Sequence, residues 1–156
     1  MKSSVKELIS WKIWDDMNNG IRELNVLLST MEPYLDVYEY VFHTIDGEKI
    51  TESILAWEPI GFFKEKEGLS IIIRREVAEK NGIAVHGAFR LISLHVHSSL
   101  NAIGLTAALS TKLADEGISA NVVAAYYHDH IFVPAEKAER ALAAIRALQS
   151  GENEQG

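Results

Sequence analysis

The segment from Phe89 to Val133 is the part of this sequence that most restricts how the chain can fold. Apolar residues alternate from Arg90 to Val96, which is the spacing of a β-strand. Leucines and alanines then recur at helical spacing, and Gly117 stands where a left-handed residue would end a helix. Two further apolar runs flank a polar corner at His128-Asp129, which is typical of a β-hairpin. These patterns predict an α+β sandwich whose helices cover one face of a sheet.

Several motifs within and after this segment resemble those of the ACT domain family. They are Ile103-Gly104-Leu105, the run Leu113 to Ser119, the run His130 to Val133, and the run Glu136 to Ala141. The resemblance spans roughly Ile21 to Leu148. It implies a ferredoxin-like fold and a regulatory module that binds an amino acid, as in aspartate kinases and cytosolic arginine sensors. It also implies that the module itself is not an enzyme.

An internal repeat indicates that two such units follow one another. At an offset of 60 residues, Ile71–Lys80 matches Ile131–Arg140 with 4 identities, and both segments are predicted to join a strand to a helix. The fold class is therefore a tandem of two ACT-like units, the first over 21–86 and the second over 87–149. The second unit lacks the closing strand of a full ACT domain, so the first unit or another subunit has to cover its edge.

Composition excludes several classes of partner. With 15 basic and 22 acidic residues the net charge is −7, which opposes binding to nucleic acid. The chain has no cysteine, so it forms neither disulfides nor thiolate metal sites. No stretch is long and apolar enough to span a membrane, and no targeting segment is recognised. We expect a cytoplasmic protein without cofactors that forms a homo-oligomer.

The remaining elements are predicted from local patterns. An apolar stripe with Trp11 and Trp14 predicts a helical extension over 1–20, which is either a docking helix or dispensable. The tail 150–156 is too polar to form a strand. The other predicted elements are a helix over 21–31 stopped by Pro33, a strand over 38–45, a short helical turn before Trp57, a hairpin over 60–65 and 69–73, a helix over 74–81 and a last helix from Pro134 or Ala135.

The candidate ligand site lies between the strand and the helix of the second unit. A helix N-terminus presents unpaired N–H groups that attract a carboxylate, and Gly104 would let a ligand approach the backbone. The resemblance to arginine sensors implies that Asp129 contacts the cationic end of the ligand. Alternatively, the polar residues cap the helix, Gly104 relieves a packing clash, and Asp129 forms an Asx turn. The predicted ligand-binding residues are Ser98, Ser99, Asn101, Ile103, Gly104, Asn121 and Asp129.

Four central histidines suggest a second kind of site. His95 and His97 share one strand face, and His128 and His130 flank the corner, so a divalent metal is conceivable. Histidines on a sheet face also commonly make only hydrogen bonds, and no metal-binding motif accompanies them. We therefore predict neither a metal nor a catalytic residue. The alternative functions are a structural oligomerisation module without a ligand and a histidine-based metal-binding protein.

Overall fold

The structure is a computed structural model that describes residues 24–47, 49–96 and 104–151. The predicted extension over 1–20, residues 97–103 and residues 152–156 of the tail lie outside these ranges. None of the described helices has the length and apolar character needed to cross a lipid bilayer. The elements in chain order are α1 (Leu24–Thr30), β1 (Pro33–Ile45), α2 (Glu52–Leu55), β2 (Gly61–Glu65), β3 (Gly68–Arg74), α3 (Arg75–Lys80), β4 (Phe89–Leu94), α4 (Leu105–Asp115), β5 (Asn121–Ala124), β6 (Asp129–Pro134), a 3-10 turn (Ala135–Lys137) and α5 (Ala138–Ser150).

All six strands form one antiparallel sheet in the order β2-β3-β1-β4-β6-β5. Each half of the sheet contains one hairpin, β2-β3 or β5-β6, and the strand that precedes that hairpin in the chain. The two halves meet where β1 pairs with β4 at the centre. The predicted α+β fold with two successive units is therefore confirmed.

Strand β1 belongs to both halves of the sheet. It pairs with β4 through Pro33–Leu35 and, after an irregularity, through Glu39 and Tyr40, and it pairs with β3 over Tyr40–Ile45. The first unit therefore covers the edge that the second unit leaves open, which was one of the two predicted solutions. The prediction that this strand begins at Tyr38 is wrong. Proline lacks an N–H group but is tolerated as the first residue of a strand, so Pro33 ends the preceding helix and starts β1.

Helices cover one face of the sheet and enclose two apolar cores. The first core lies between α2, α3 and the β1-β3 pair, and it includes Val41, Ile71 and Ile73. The second core lies between α1, α4, α5 and the β4-β6 pair. Helix α1 belongs to the first half of the sequence, yet its Leu27 and the following Met31 are fully buried in the second core. The two halves are thus joined by shared packing as well as by β1.

The turn between β2 and β3 depends on glycine. Gly68 has a φ of 154°, and a Cβ added there would lie 2.5 Å from the carbonyl oxygen of Ile45. Only a residue without a side chain fits at this position, which gives a steric reason for the turn, and the hairpin predicted over 60–65 and 69–73 is confirmed. Strand β3 runs directly into α3, as β6 runs into the 3-10 turn and α5, which matches the repeat seen in the sequence.

The face of the sheet that carries no helix is called the open face below. Directly paired residues of antiparallel strands lie on the same face, so the register assigns its members. Its centre is a buried cluster of Tyr40, Ile72, Leu91 and Phe132. All four are strand residues, and none belongs to the two cores beneath the helices.

Candidate ligand-binding site

The helix that follows β4 begins at a glycine in a left-handed conformation. Gly104 is the N-cap of α4, with φ 97° and ψ −16°. The Ala108 N–H donates to the Gly104 carbonyl oxygen (2.9 Å), which closes the first turn. The first N–H groups of an α-helix have no partner within the helix, so the start of α4 offers hydrogen-bond donors to a bound group.

Gly104 also makes a close packing contact. A Cβ added at Gly104 would lie 3.3 Å from Cδ2 of Leu24 in α1. The packing contact that was the alternative explanation for this glycine is therefore present, whereas the approach of a ligand to its backbone stays a prediction. Four other predicted site residues precede it in the chain and are outside the described residues: Ser98, Ser99, Asn101 and Ile103.

Asp129 is the first residue of β6 and does not occupy the hairpin corner. It pairs with Leu94 on one side and with Ala124 on the other. The turn is formed instead by 125–128, where the Ala125 N–H donates to the His128 carbonyl oxygen (3.1 Å). The apolar run from Asn121 was predicted to remain a strand to Tyr127, but β5 ends at Ala124 because no core lies beyond it. Tyr126 and Tyr127 are exposed and contact each other edge to face.

The carboxylate of Asp129 lies on the face covered by the helices. Its paired neighbour Leu94 is fully buried in the second core, and directly paired side chains share a face. Burial raises the pKa of Asp129, and the neighbouring His130 and His128 oppose that shift. Among the described residues, no hydrogen-bond donor contacts this carboxylate. A partly buried carboxylate without a donor is unfavourable when ionised, and groups of this kind are concentrated at functional sites.

Asp129 and the start of α4 are linked by the path of the chain. Asp129 pairs with Leu94, the last residue of β4, and the next helix along the chain begins after Gly104. The carboxylate therefore stands at the end of β4 that precedes α4 in the chain. This arrangement combines hydrogen-bond donors with a negative charge and is suited to a small zwitterion.

Asn121 is placed apart from Asp129. It pairs with Phe132 on the open face, and its Nδ2 donates to the Phe132 carbonyl oxygen (3.3 Å). Three residues of extended strand separate it from Ala124, the partner of Asp129, which corresponds to about 10 Å. The structure thus brings Gly104 and Asp129 to one end of the second unit and leaves Asn121 on the opposite face.

The first unit has no equivalent of the acidic group. The position 60 residues before Asp129 is Leu69, which is 1% exposed and belongs to the first core. An apolar side chain there packs beneath the helices and offers no charge to a ligand. The two units therefore differ at this position, which carries a carboxylate in the second unit and an apolar core residue in the first.

The histidines lie together at one end of the open face. Nδ1 of His130 and Oγ of Ser93 are 2.8 Å apart, and the ring centres of His95 and His128 are 5.2 Å apart. Burial lowers the pKa of His130, and the neighbouring His128 and His95 act in the same direction, against Asp129. Nδ1 of His128 is buried and has no hydrogen-bond partner within the described part of the chain.

Sequence periodicity did not reveal two partners in this cluster. One is Ser93, which is hydrogen-bonded to His130, and the other is Tyr34, whose ring stacks on His95 with centres 5.8 Å apart. Within the described ranges, no group of three or more histidine or acidic side chains is arranged to hold a metal ion. His97 lies outside those ranges.

These features define a class of protein: a tandem α+β protein of ferredoxin-like type, whose second unit carries a partly buried carboxylate with no hydrogen-bond donor among the described residues. Two family models for the ACT domain match the chain, one over residues 19–90 and the other over 87–147. The chain belongs to the ACT domain family. ACT domains are typically regulatory modules, so this is a regulatory ACT protein.

Solved structures agree with this assignment. A Vibrio cholerae protein of unknown function, described as a possible transport protein, is 48% identical, with a TM-score of 0.73, over 84% of this chain and 99% of that one. An Agrobacterium tumefaciens protein is 15% identical, with a TM-score of 0.62, over 76% of this chain and 89% of the other.

A third structure is the ligand-free regulatory subunit of aspartate kinase from Thermus thermophilus. It is 16% identical, with a TM-score of 0.53, over 78% of this chain and 97% of that subunit. At this identity, as for the Agrobacterium protein, the likeness concerns the fold. The comparison with curated proteins finds no match.

Proposed function

We propose that this protein is a non-catalytic regulatory ACT protein of the cytoplasm that senses a free amino acid or a similar zwitterion and works as a homo-oligomer. The observation that carries the proposal is the partly buried carboxylate of Asp129, which has no hydrogen-bond donor among the described residues and stands at the end of β4 that leads to the α4 N-terminus. A cationic group of the ligand would supply the missing partner. The ligand carboxylate would bind the N–H groups at the start of α4.

The pKa of Asp129 supports this role with a definite sign. Its folded pKa is raised, so the protonated form is favoured in the folded state, and stability is lost as pH rises through the folded value. At neutral pH the ionised carboxylate therefore opposes folding. An aspartate whose carboxylate accepted hydrogen bonds in a turn would instead stabilise the folded state at neutral pH. A carboxylate that is unfavourable in the free protein is expected where a bound ligand neutralises its charge.

The test begins with a thermal-shift screen of free amino acids, because a ligand at 100 times its Kd stabilises the folded state by about 2.7 kcal/mol. A hit is then titrated by calorimetry into the wild type and into Asp129→Asn. Loss of a charge-assisted contact worth about 1.5 to 3 kcal/mol would weaken binding about tenfold or more. The melting temperature of the ligand-free variant should stay equal or rise, because an unfavourable charge has been removed.

The matched control is Asp115→Asn, which removes an exposed carboxylate at the end of α4. Its affinity for the ligand should equal that of the wild type. Equal affinity of wild type and Asp129→Asn would show that Asp129 does not contact the ligand, and a lower melting temperature of the free variant would show that its carboxylate stabilises the fold. If no amino acid gives a shift, the protein is better described as an oligomerisation module without a ligand.

A further inference from the structure

A cleft of about 360 Å³ lies beside β1 in the first unit, and neither Asp129 nor Gly104 lines it. Strand β3 ends at Arg74, where the chain turns into α3, whereas β1 pairs with β3 only from Tyr40 onwards. The residues of β1 before Tyr40 therefore have no partner from β3, and the cleft occupies this gap. Small-molecule sites usually have volumes of about 300–1,000 Å³, so the cleft is large enough for a small ligand.

One wall of the cleft is an irregular stretch of β1 that is fixed by hydrogen bonds. Between the pairs that β1 makes with Ile92 and Arg90, β1 has three residues and β4 has one, so β1 carries two extra residues here. The Asp36 carboxylate accepts hydrogen bonds from the Tyr40 hydroxyl (2.7 Å) and from the Tyr38 N–H (3.2 Å). Nε of Arg90 donates to the Asp36 carbonyl oxygen (2.8 Å). These bonds fix the backbone next to Tyr38 and give this wall a defined shape.

Arg74 presents a guanidinium group to the cleft. Its Cζ lies 3.9 Å from the centre of the Tyr38 ring, so the guanidinium is held over an aromatic face. The nearest carboxylate oxygen belongs to Glu76 and is 3.7 Å from Nη1, which is too long for a hydrogen bond. The guanidinium also lies near the Tyr40 hydroxyl, but it has more N–H donors than these neighbours can use. A planar group with spare donors is suited to a carboxylate.

The glutamates of the cleft give it an excess of negative charge. Arg75 forms ion pairs with Glu39 (2.8 Å) and with Glu79 (2.7 Å), so two carboxylates share one cation. Glu76 makes no hydrogen bond within the part of the chain that the structure describes, and its side chain is 66% exposed. The charged side chains of the lining are two arginines and three glutamates, which gives a net charge of −1. The cleft therefore offers donors at Arg74 and uncompensated negative charge beside it.

The second unit makes the same chain turn without these charges. At the offset of 60 residues, Arg74-Arg75 corresponds to Pro134-Ala135, where β6 runs into the 3-10 turn. A strand-to-helix junction of this type therefore does not require arginine. The arginine pair is a property of the first unit alone, which favours a role in binding over a role in the fold.

We propose that this cleft is a second ligand site, which binds a small zwitterion with its carboxylate on Arg74 and its ammonium group on Glu76. A simple anion would be opposed by the net negative charge of the lining. Among the described residues, no group of three or more acidic or histidine side chains is arranged to hold a metal ion. A zwitterion is neutral as a whole and meets an opposite charge at each end. The site goes beyond the proposed function, because it lies in the first unit and does not involve Asp129.

The exposure of the two charged groups sets the expected affinity. The side chain of Arg74 is 38% exposed and that of Glu76 is 66% exposed, so solvent screens both contacts. We therefore expect a dissociation constant of about 1 mM. The measurement has to detect weak binding and to locate it, which amide NMR of the isotope-labelled protein does.

The standard amino acids, acetate and methylamine are each titrated into the protein at neutral pH. Acetate carries only the anionic end of a zwitterion, and methylamine carries only the cationic end. At least one amino acid should shift the amide signals of Tyr38 and Arg75 until they saturate. It should bind there at least about tenfold more tightly than acetate or methylamine, because both charged contacts form only with the zwitterion.

Two variants remove one charge each and nearly preserve the size of the side chain. Arg74→Gln and Glu76→Gln should each weaken the binding that is seen at Tyr38 by about tenfold or more. Arg146→Gln, which changes an exposed arginine on α5, is the matched control and should bind as the wild type does. Circular dichroism confirms that all three variants are folded. Using both variants of the site guards against a local rearrangement of the Tyr38 wall in one of them.

The outcomes separate this site from the one proposed in the second unit. Asp129→Asn should leave the shifts at Tyr38 and Arg75 unchanged, and Arg74→Gln should leave any shifts near Gly104 unchanged. An amino acid that shifts only signals near Gly104 and Asp129 would refute the second site and leave the proposed function intact. Acetate that binds as tightly as every amino acid, or wild-type affinity in both Arg74→Gln and Glu76→Gln, would also overturn the proposal.

Discussion

Leu27→Ala tests whether helix α1 stabilises the second half of the molecule. Leu27 precedes β1 in the chain, yet its side chain is 0% exposed in the core that contains Ile92 and Ile145. Truncating a fully buried leucine removes its transfer free energy and leaves a cavity, so the free energy of unfolding should fall by about 2–5 kcal/mol. For a chain of this size that corresponds to a fall of roughly 5–20 °C in melting temperature.

The matched control is Val26→Ala on the same helix. Val26 is 44% exposed, so its truncation should change the free energy of unfolding by about 0.5 kcal/mol or less. Urea denaturation followed by circular dichroism measures both variants against the wild type. If Leu27→Ala loses no more stability than Val26→Ala, helix α1 does not pack on the second core as described.

The same substitution also tests whether the two halves unfold together. Trp57 packs against the first core, and with Trp11 and Trp14 replaced by phenylalanine its fluorescence reports on that core alone. Strand β1 contributes to both cores, so Leu27→Ala should lower the Trp57 transition midpoint as much as the midpoint seen by circular dichroism. An unchanged Trp57 transition would show that the halves unfold independently.

Two further perturbations follow from local geometry. Gly104→Ala should cost about 2 kcal/mol in denaturation experiments, whereas the control Gly117→Ala should cost about 1 kcal/mol, because both glycines have positive φ but only Gly104 also meets Leu24; equal losses would refute the packing contact. His130 has a lowered folded pKa, so its contribution to stability is present above the ordinary value of 6.5 and is lost as pH falls below it. The melting temperature of the wild type should therefore fall more between neutral pH and about pH 5 than that of His130→Phe; parallel pH profiles would show that His130 does not titrate in this way.

The candidate site was only partly predictable. The position of Gly104 at the start of a helix follows from the helical spacing after it, and the structure places it there. The location of Asp129 does not follow from the sequence. The polar pair His128-Asp129 between two apolar runs predicts a turn nearby, but it does not show whether the turn lies at the pair or just before it. The exposed pair Tyr126-Tyr127 lies in the turn although aromatic residues favour strands. Strand propensity has this effect only where a neighbouring strand or a core packs against the residue.

The sequence by itself determined the local elements and their repetition. Alternating apolar residues identified β4, glycine identified the β2-β3 turn and the end of α4, and the similarity at an offset of 60 residues identified two successive strand-to-helix units. Each of these signals depends on residues a few positions apart, because strand and helix periods and left-handed turns are properties of short segments.

Only the tertiary structure decided which strands pair and what each face contacts. That β1 joins both halves, that α1 packs on the second core, and that Asp129 lies beneath the helices while Asn121 lies on the open face all depend on the strand order. Periodicity specifies that a strand has two faces, but it does not specify its neighbours, because pairing is settled by contacts between residues far apart in the chain. For the same reason, the rings of Tyr40, Phe42, Phe89 and Phe132 meet on the open face only after β1, β4 and β6 are assembled.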